Sequence, residues 1–252
     1  MIPDSLGEYT ITRLLGRGGM AEVYEGFDAD LDRPVAIKVI LPEVGGEPGF
    51  EERFRREARL VASLRHPHIV QVFDFAVVDG KPFMVMEYLK GNTLKDRLAE
   101  LRGRGETMPL AEIARILDAL GGALDYAHGR GAIHRDIKPA NILFTEQNEP
   151  VVADFGIARL LGDVGQLTVP GQIIGSPAYM APEQARGEEV GSSADQYALG
   201  VVLYEMATGR TPFQADSPTA LLMQHVSSPP PPPRSINPNL PEALQAVLLL
   251  SL

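Results

Sequence analysis

Two hydrophobic rhythms divide the chain. Up to about Tyr88 the apolar residues fall in short runs typical of strands. Tyr9 to Leu15 alternates loosely, Gly16-Arg17-Gly18-Gly19 makes a turn, Val23 to Phe27 continues, and after a turn around Asp28 to Asp32 comes the β-rich run Val35 to Leu41. A helix is expected from about Gly49 to Leu64, because Phe54, Ala58, Val61 and Leu64 keep helical spacing while Glu and Arg take other positions; His66-Pro67 stops it. Two further strands, Ile69 to Phe75 and Phe83 to Tyr88, complete a sheet-rich half with one helix.

Beyond Leu89 the period becomes helical. Leu110, Ile113, Ala114, Leu117, Leu120, Leu124 and Ala127 mark a buried helix ending near Gly129 to Gly131. Ser192 with Asp195 resembles a capping box for a second, very apolar helix that runs to Thr208 and stops at Gly209. Ala220 to Val226 is a short third helix before the prolines Pro229 to Pro233, which suit either a stiff connector within one lobe or a polyproline ligand for another protein's aromatic groove. The pattern therefore predicts an α+β protein with a sheet-rich first part and a mostly helical second part. Its 252 residues suit one large domain or two lobes sharing a cleft.

Charge and composition narrow the chemistry. A formal net charge of -10 removes the general electrostatic attraction for nucleic acid or anionic lipid, and 44% hydrophobic with 22% charged residues is ordinary for a globular protein. The absence of Cys excludes disulfides, zinc-thiolate sites and thiol nucleophiles. Met1 to Glu8 lacks the basic and apolar regions of a signal peptide, and no apolar run approaches a membrane span, so this segment is expected in the cytoplasm without membrane contact.

Four sequence features carry candidate chemistry. Gly16-Arg17-Gly18 is weak by itself, since two other G-x-G triplets occur, at Gly103 to Gly105 and Gly129 to Gly131; it alone lies between two expected strands, where it is either a glycine-rich hairpin over phosphates or a plain tight turn. Lys38 lies in the apolar strand Val35-Ala36-Ile37-Lys38, so it needs an anion nearby unless it snorkels from an edge, and Glu57 on the next helix is the candidate. His134-Arg135-Asp136-Ile137-Lys138-Pro139-Ala140-Asn141 is far more specific: its four fixed residue types arise by chance in roughly one chain of this length in 600. A carboxylate there can accept a hydroxyl proton, an amide oxygen can ligate Mg²⁺, and a lysine can offset charge on a migrating phosphoryl group. Asp154-Phe155-Gly156, after the strand Val151 to Ala153, adds a second carboxylate at a strand end, although an Asp before Gly is more often a plain turn.

Together with Ala181-Pro182-Glu183, these segments stand in the order and context of the protein-kinase signature, and the chain resembles a bacterial eukaryotic-like (Hanks-type) serine/threonine protein kinase over essentially its whole length. Gly18 to Val23, Arg53 to Ala58 and Pro182 to Gly187 look especially like the bacterial branch. The resemblance implies a bilobal kinase fold with residues 1–88 as the N-lobe and 89–252 as an incomplete C-lobe. It implies ATP with Mg²⁺, or Mn²⁺ in its place, and protein substrates with Ser or Thr acceptors. Lys38, paired with Glu57, would hold the α- and β-phosphates under the glycine loop of Gly16, Gly18 and Gly19; Val23 and Ala36 would cover the adenine, with Leu143 beneath it, Met86 as gatekeeper and Glu87 to Leu89 as hinge. Asn141 and Asp154 would bind metal, Asp136 would act as base, and Lys138 marks the serine/threonine version of the loop. Thr168 is the one hydroxyl-bearing residue between Gly156 and Gly175, so an activating phosphate in that stretch falls there, pairing with Arg135 and placed by autophosphorylation between two associated molecules.

Three departures stand out. Ala21 replaces the third glycine of the loop, and Ser176 replaces the family's threonine while keeping the hydroxyl that would contact Asp136 and Lys138. The sequence also stops inside the apolar run Leu244 to Leu252, before the family's closing helices and the arginine that would pair with Glu183, which reads as a fragment; a membrane anchor would lie beyond Leu252. The alternatives are a pseudokinase serving as a nucleotide-binding scaffold, against which Lys38, Asp136, Asn141 and Asp154 speak, and a small-molecule kinase of the same fold, against which Ala181-Pro182-Glu183 speaks.

Overall fold

The computed structural model describes residues 5–19, 21–41, 49–155, 168–169, 172–173 and 176–252. Strands β1 (Ser5–Leu6), β2 (Tyr9–Arg17), β3 (Ala21–Asp28), β4 (Arg33–Ile40), β5 (Val72–Val78) and β6 (Lys81–Glu87) form one antiparallel sheet in the order β1-β2-β3-β4-β6-β5. Helix α1 (Phe50–Ala62) packs against this sheet through Phe50, Phe54, Ala58 and Val61, with Phe54 edge-on to Phe75 at 6.3 Å. Glu51 and Glu52 in its first turn and Arg59 in its last suit the helix dipole.

The strand register decides what faces the cleft. In antiparallel pairs, directly opposed residues point to the same side. Val23 opposes Lys38, Lys38 opposes Met84, and Ala36 opposes Met86, so these five side chains share one face of the sheet. The opposite face gathers a second small core from Tyr9, Tyr24, Val35, Ile37, Phe83 and Val85.

The second lobe is helical: α2 (Leu94–Gly103), α3 (Leu110–His128), α4 (Pro182–Arg186), α5 (Ser193–Thr208), α6 (Pro218–Ser227) and α7 (Glu242–Leu250), with the hairpin of β7 (Ile142–Phe144) and β8 (Pro150–Val152) at its upper edge. A further short pair joins β9 (Thr168–Val169) to β10 (Gln172–Ile173). Helix α5 is apolar on nearly every side and buried along its length, the pattern of a core helix rather than a surface one, and Gly209 ends it in the left-handed region at φ 79°. The proline run joins α6 to α7 as a connector pinned to α5: the Tyr204 hydroxyl donates to the Pro231 carbonyl at 2.9 Å, and Pro233 is buried.

Helix α2 escapes the hydrophobic pattern, because only Leu94 and Leu98 are buried on it. Its start is nevertheless written in the sequence: Thr93 and Asp96 form a reciprocal capping box, Asp96 N–H donating to Thr93 Oγ1 at 3.2 Å and Thr93 N–H to Asp96 Oδ2 at 3.0 Å. The box expected at Ser192 does not form; Ser192 makes no side-chain cap, and the carboxylate of Asp195 turns inward instead. In the apolar run Leu244 to Leu252, Leu248 is fully buried, whereas Leu249 and Leu250 are exposed.

Candidate active site

The loop between α3 and β7 carries His134 to Asn141, and Asp195 of α5 holds it from below. The Asp195 carboxylate accepts hydrogen bonds from His134 N–H at 2.8 Å and Arg135 N–H at 2.7 Å, and lies 2.7 Å from His128 Nε2. A buried carboxylate is costly unless its lone pairs are filled, and two backbone donors with an imidazole fill them here. That demand is why Asp195 forgoes the cap: three donors in a dry site outcompete one solvent-facing N–H. Arg135 adopts φ 68°, a left-handed conformation unusual for a non-glycine residue, and its carbonyl accepts from Gln184 Nε2 at 2.9 Å.

On this anchored loop Lys138 Nζ lies 2.6 Å from Asp136 Oδ2, and Asn141 Nδ2 donates to the Asp136 carbonyl at 2.8 Å and to Oδ2 at 3.1 Å. Asp136 keeps a partly open side chain, 29% exposed, so its second oxygen can meet a substrate. His134 is fully buried; its Nε2 lies 2.7 Å from the Ala153 carbonyl, and its Nδ1 accepts from Asp136 N–H at 3.2 Å. Ala153 N–H in turn donates to the Asn141 carbonyl at 2.9 Å. The loop and the end of β8 are thereby stitched together, and Asp154 follows immediately, also left-handed at φ 68°.

Across the cleft, Lys38 Nζ pairs with Asp154 Oδ1 at 2.9 Å. Burial pushes the Asp154 carboxyl up, but the Lys38 ammonium, with smaller contributions from His134 and Lys138, outweighs it and holds the group below the usual carboxylate range. Here the geometry departs from the expected pair. Among the described ion pairs none joins Lys38 to Glu57; Glu57, buried on α1, meets Arg56 at 3.3 Å. The buried ammonium has taken the carboxylate at the end of β8 in preference to the one on α1.

Of the residues expected around a nucleotide base, Val23, Ala36 and Met86 lie on one face of the sheet. Ala36 and Met86 are buried neighbours across β4 and β6, Val23 opposes Lys38, and Leu143 lies on β7, bridged to Thr93. Beyond Glu87 and Leu89 the chain passes so close to β7 that a Cβ on Gly91 would sit 1.8 Å from the Phe144 carbonyl oxygen, so only glycine fits. In the glycine loop, Gly18 N–H closes a turn onto the Ala21 carbonyl at 2.9 Å. A Cβ at Gly16 or Gly19 would meet nothing within 4 Å; nothing within the described chain requires glycine there, which fits a loop shaped for close approach by a ligand.

The Ser176 hydroxyl makes no hydrogen bond to Asp136 or Lys138, although its carbonyl accepts from Tyr179 N–H at 3.0 Å. Glu183 accepts from the Ser193 hydroxyl at 3.1 Å. Gly156 and the Thr168 side chain, with its expected pairing to Arg135, lie outside the described residues. Asp195 and His128 are the site residues that motif spacing missed, since nothing along the chain separates Asp195 from an ordinary helix-start acid.

The class of protein is set by comparison with known chains. The protein kinase domain family matches residues 9–248. A probable serine/threonine-protein kinase of Streptomyces coelicolor is 43% identical over 98% of this chain, and the serine/threonine-protein kinase PknB of Mycobacterium tuberculosis is 43% identical over 99% of it. This chain spans 37% and 40% of those two relatives' lengths. The crystal structure of the Mycobacterium tuberculosis PknI kinase domain superposes with a TM-score of 0.78 at 31% identity, covering 100% of this chain and 90% of that one. The chain belongs to the protein kinase family, in its bacterial serine/threonine branch. Its antiparallel first lobe and helical second lobe are the bilobal kinase fold.

Proposed function

We propose that this chain is the catalytic domain of a serine/threonine protein kinase that moves the γ-phosphoryl group of ATP to Ser or Thr hydroxyls of protein substrates. The observation that carries the reading is Asp136 with Lys138 at 2.6 Å and Asn141 at 3.1 Å, on a loop joined through Ala153 to the strand end that bears Asp154. Asp136 takes the acceptor hydroxyl's proton as that oxygen attacks the γ-phosphorus and the bond to the β-phosphate oxygen breaks, releasing ADP. Lys138 stands beside Asp136 to offset charge on the group in transfer. Lys38 holds the nucleotide phosphates against the glycine loop, and Val23, Ala36, Met86 and Leu143 enclose the base, with hinge backbone from Glu87 to Leu89 reading its edge.

The oxygen donors of Asp154 and Asn141, without thiolate or imidazole partners, fit a hard divalent cation such as Mg²⁺ or Mn²⁺. Among the described residues no group of three or more His, Asp or Glu side chains gathers, so such an ion would complete its shell from phosphate oxygens and water. When bound, the ion neutralises charge on the phosphates. With Asp154 engaged by such an ion, Glu57 on α1 would be the second anion available to Lys38. Nothing favours the scaffold alternative, since Lys38, Asp136, Asn141 and Asp154 are all present.

Regulation follows the same reading: Thr168 is autophosphorylated between two associated molecules, and Arg135 receives the phosphate. No helix among the described residues is long and apolar enough to cross a membrane; the reading places this domain on the cytoplasmic side, with any anchor elsewhere in a longer protein. The test is incubation with Mg-ATP and a basic protein acceptor, followed by phosphopeptide mapping. Phosphate on Ser and Thr of the acceptor and on Thr168 is expected. Absence of transfer would end the kinase reading, while active enzyme with unmodified Thr168 would end the regulatory one.

A further inference from the structure

The pairing of β2 with β3 is irregular in two places, and the first irregularity changes which side chain faces the cleft. Ile11 opposes Gly26, but the next pair is Arg13 with Glu25, so Thr12 is the extra residue of a bulge. In an unbroken ladder Thr12 would stand opposite Glu25, and Arg13 would point to the other side of the sheet. Glu25 opposes Ala36, and Ala36 opposes Met86. The bulge therefore sets Arg13 at the end of the row that carries two of the residues expected around the base.

From there Arg13 reaches two partners. Its Nη2 lies 2.7 Å from Glu25 Oε2 and donates to the Tyr88 hydroxyl at 3.0 Å. Tyr88 is the middle residue of Glu87 to Leu89, the hinge that leaves β6. Strands β3 and β4 stand between β2 and β6, so the Arg13–Tyr88 bond closes a ring that runs through β2, β3, β4 and β6 and returns through two side chains. Ala36 and Met86 belong to that ring, and the glycine loop begins at Gly16, three residues past Arg13. The Arg13 side chain is 62% exposed, and an exposed ion pair adds little to overall stability because water screens it. What the contact does supply is a direct tie between the strand entering the glycine loop and the hinge, the two segments between which a base would have to fit.

We propose that Arg13, held by Glu25 and Tyr88, is a clasp at the edge of the nucleotide site and a positioning residue for the adenine base: it keeps β2 at a fixed distance from the hinge, and the base occupies the gap so defined. The idea rests on the kinase reading and adds to it a residue outside every motif. Loss of the clasp leaves Lys38, Asp136 and Asp154 where they are, so its effect falls on binding of the base and not on phosphoryl transfer.

The test is equilibrium titration with adenosine, a neutral probe without phosphates, together with steady-state kinetics in which ATP and a serine-containing peptide are varied separately. Arg13→Met keeps the stem and removes the guanidinium; it should weaken adenosine binding and raise the ATP KM by about threefold to fivefold, the scale of an exposed pair, with kcat and the peptide KM within about twofold. Tyr88→Phe should weaken adenosine binding in the same direction, and the double variant should add little to the larger single effect. Arg13→Lys, which keeps the charge but loses the planar fork, should recover part of the loss. Raising salt to about 1 M, where the screening length falls to about 3 Å, should narrow the gap between wild type and Arg13→Met. Equal adenosine affinity in wild type and folded Arg13→Met, or a peptide KM that rises together with the ATP KM, would overturn the proposal. A wild-type chain that binds neither adenosine nor ATP would instead sink the kinase reading beneath it.

Discussion

The two carboxylates that face the cleft are held by different kinds of bond. Asp136 rides on a loop whose backbone N–H groups are captured by buried Asp195 and whose carbonyls and imidazole are stitched to Asn141 and Ala153. Asp154 follows Ala153, whose backbone is tied to the same loop, but among the described ion pairs its carboxylate meets one long side chain from the other lobe, Lys38. Backbone hydrogen bonds leave few alternatives, because moving the loop would strand several buried donors together. An ion pair on a four-carbon stem can exchange partners at little cost, which is why Lys38 stands on Asp154 while Glu57 meets Arg56. The lower half of the site is thus preorganised, and the upper half can be rearranged by small shifts of α1.

That contrast can be broken most sharply at Asp136. Asp136→Asn should lower phosphate transfer by several orders of magnitude while leaving nucleotide affinity close to wild type, since the loop's backbone anchors remain. Lys38→Ala should lose comparable activity but weaken nucleotide binding more. Titration of a nucleotide analogue together with turnover separates the two; normal turnover in Asp136→Asn would refute its role.

Removing the anchor tests the lower half directly. Asp195→Ala strands two backbone donors and His128, so the chain should lose about 3 to 5 kcal/mol of stability in denaturant unfolding, and activity should fall even where the fold survives. A loss under about 1 kcal/mol would show that the loop holds its own shape.

His225 offers a pH measurement. Burial of its imidazole, 5% exposed on α6, pushes it down to about 4 from an ordinary 6.5, so the unfolded chain takes up the proton first as pH falls. The stability that neutral burial leaves intact above the ordinary value is lost progressively between those two pH values, amounting to about 3 kcal/mol at the acid end. His225→Phe should flatten that part of the stability profile. An identical slope in both proteins would contradict the burial seen here.

The smallest effect concerns the upper half. Because the Lys38 ammonium holds the Asp154 carboxyl down, Lys38→Met should move its titration upward, whereas Glu57→Gln should leave it in place. The stability contributed by the depressed carboxyl is present above the ordinary carboxylate range and is lost as pH falls through the lowered value, so only Lys38→Met should lose that acid-side dependence. Carboxyl resonances followed by NMR would read both. An upward shift in Glu57→Gln would mean that Glu57, not Asp154, is the main partner of Lys38 in solution.

Local spacing already carried a large part of this molecule. The run from His134 to Asn141 acts as a unit because its members lie on one short loop, and the alternation that marks Val23, Ala36, Lys38 and Met86 translates directly into one sheet face once the strands pair. The long buried helices α3 and α5 were legible for the same reason: periodic apolar residues over many turns admit one reading. Helix α2 was not, since it buries too little apolar surface to leave a periodic mark and announces itself through its Thr93 cap.

Partner choice lay outside what local order can specify. Asp195 reads along the chain as a helix-start acid, and only the folding of α5 beneath a loop some sixty residues earlier turns it into the anchor of that loop. Glu57 reads as the partner of Lys38, and the packing of α1 decides otherwise. Hydrophobic period and motif spacing are properties of neighbouring residues, so they survive in the linear order. The pairing of buried charges depends on which of several carboxylates is brought within about 3 Å of a given donor, a distance that only the closed fold defines.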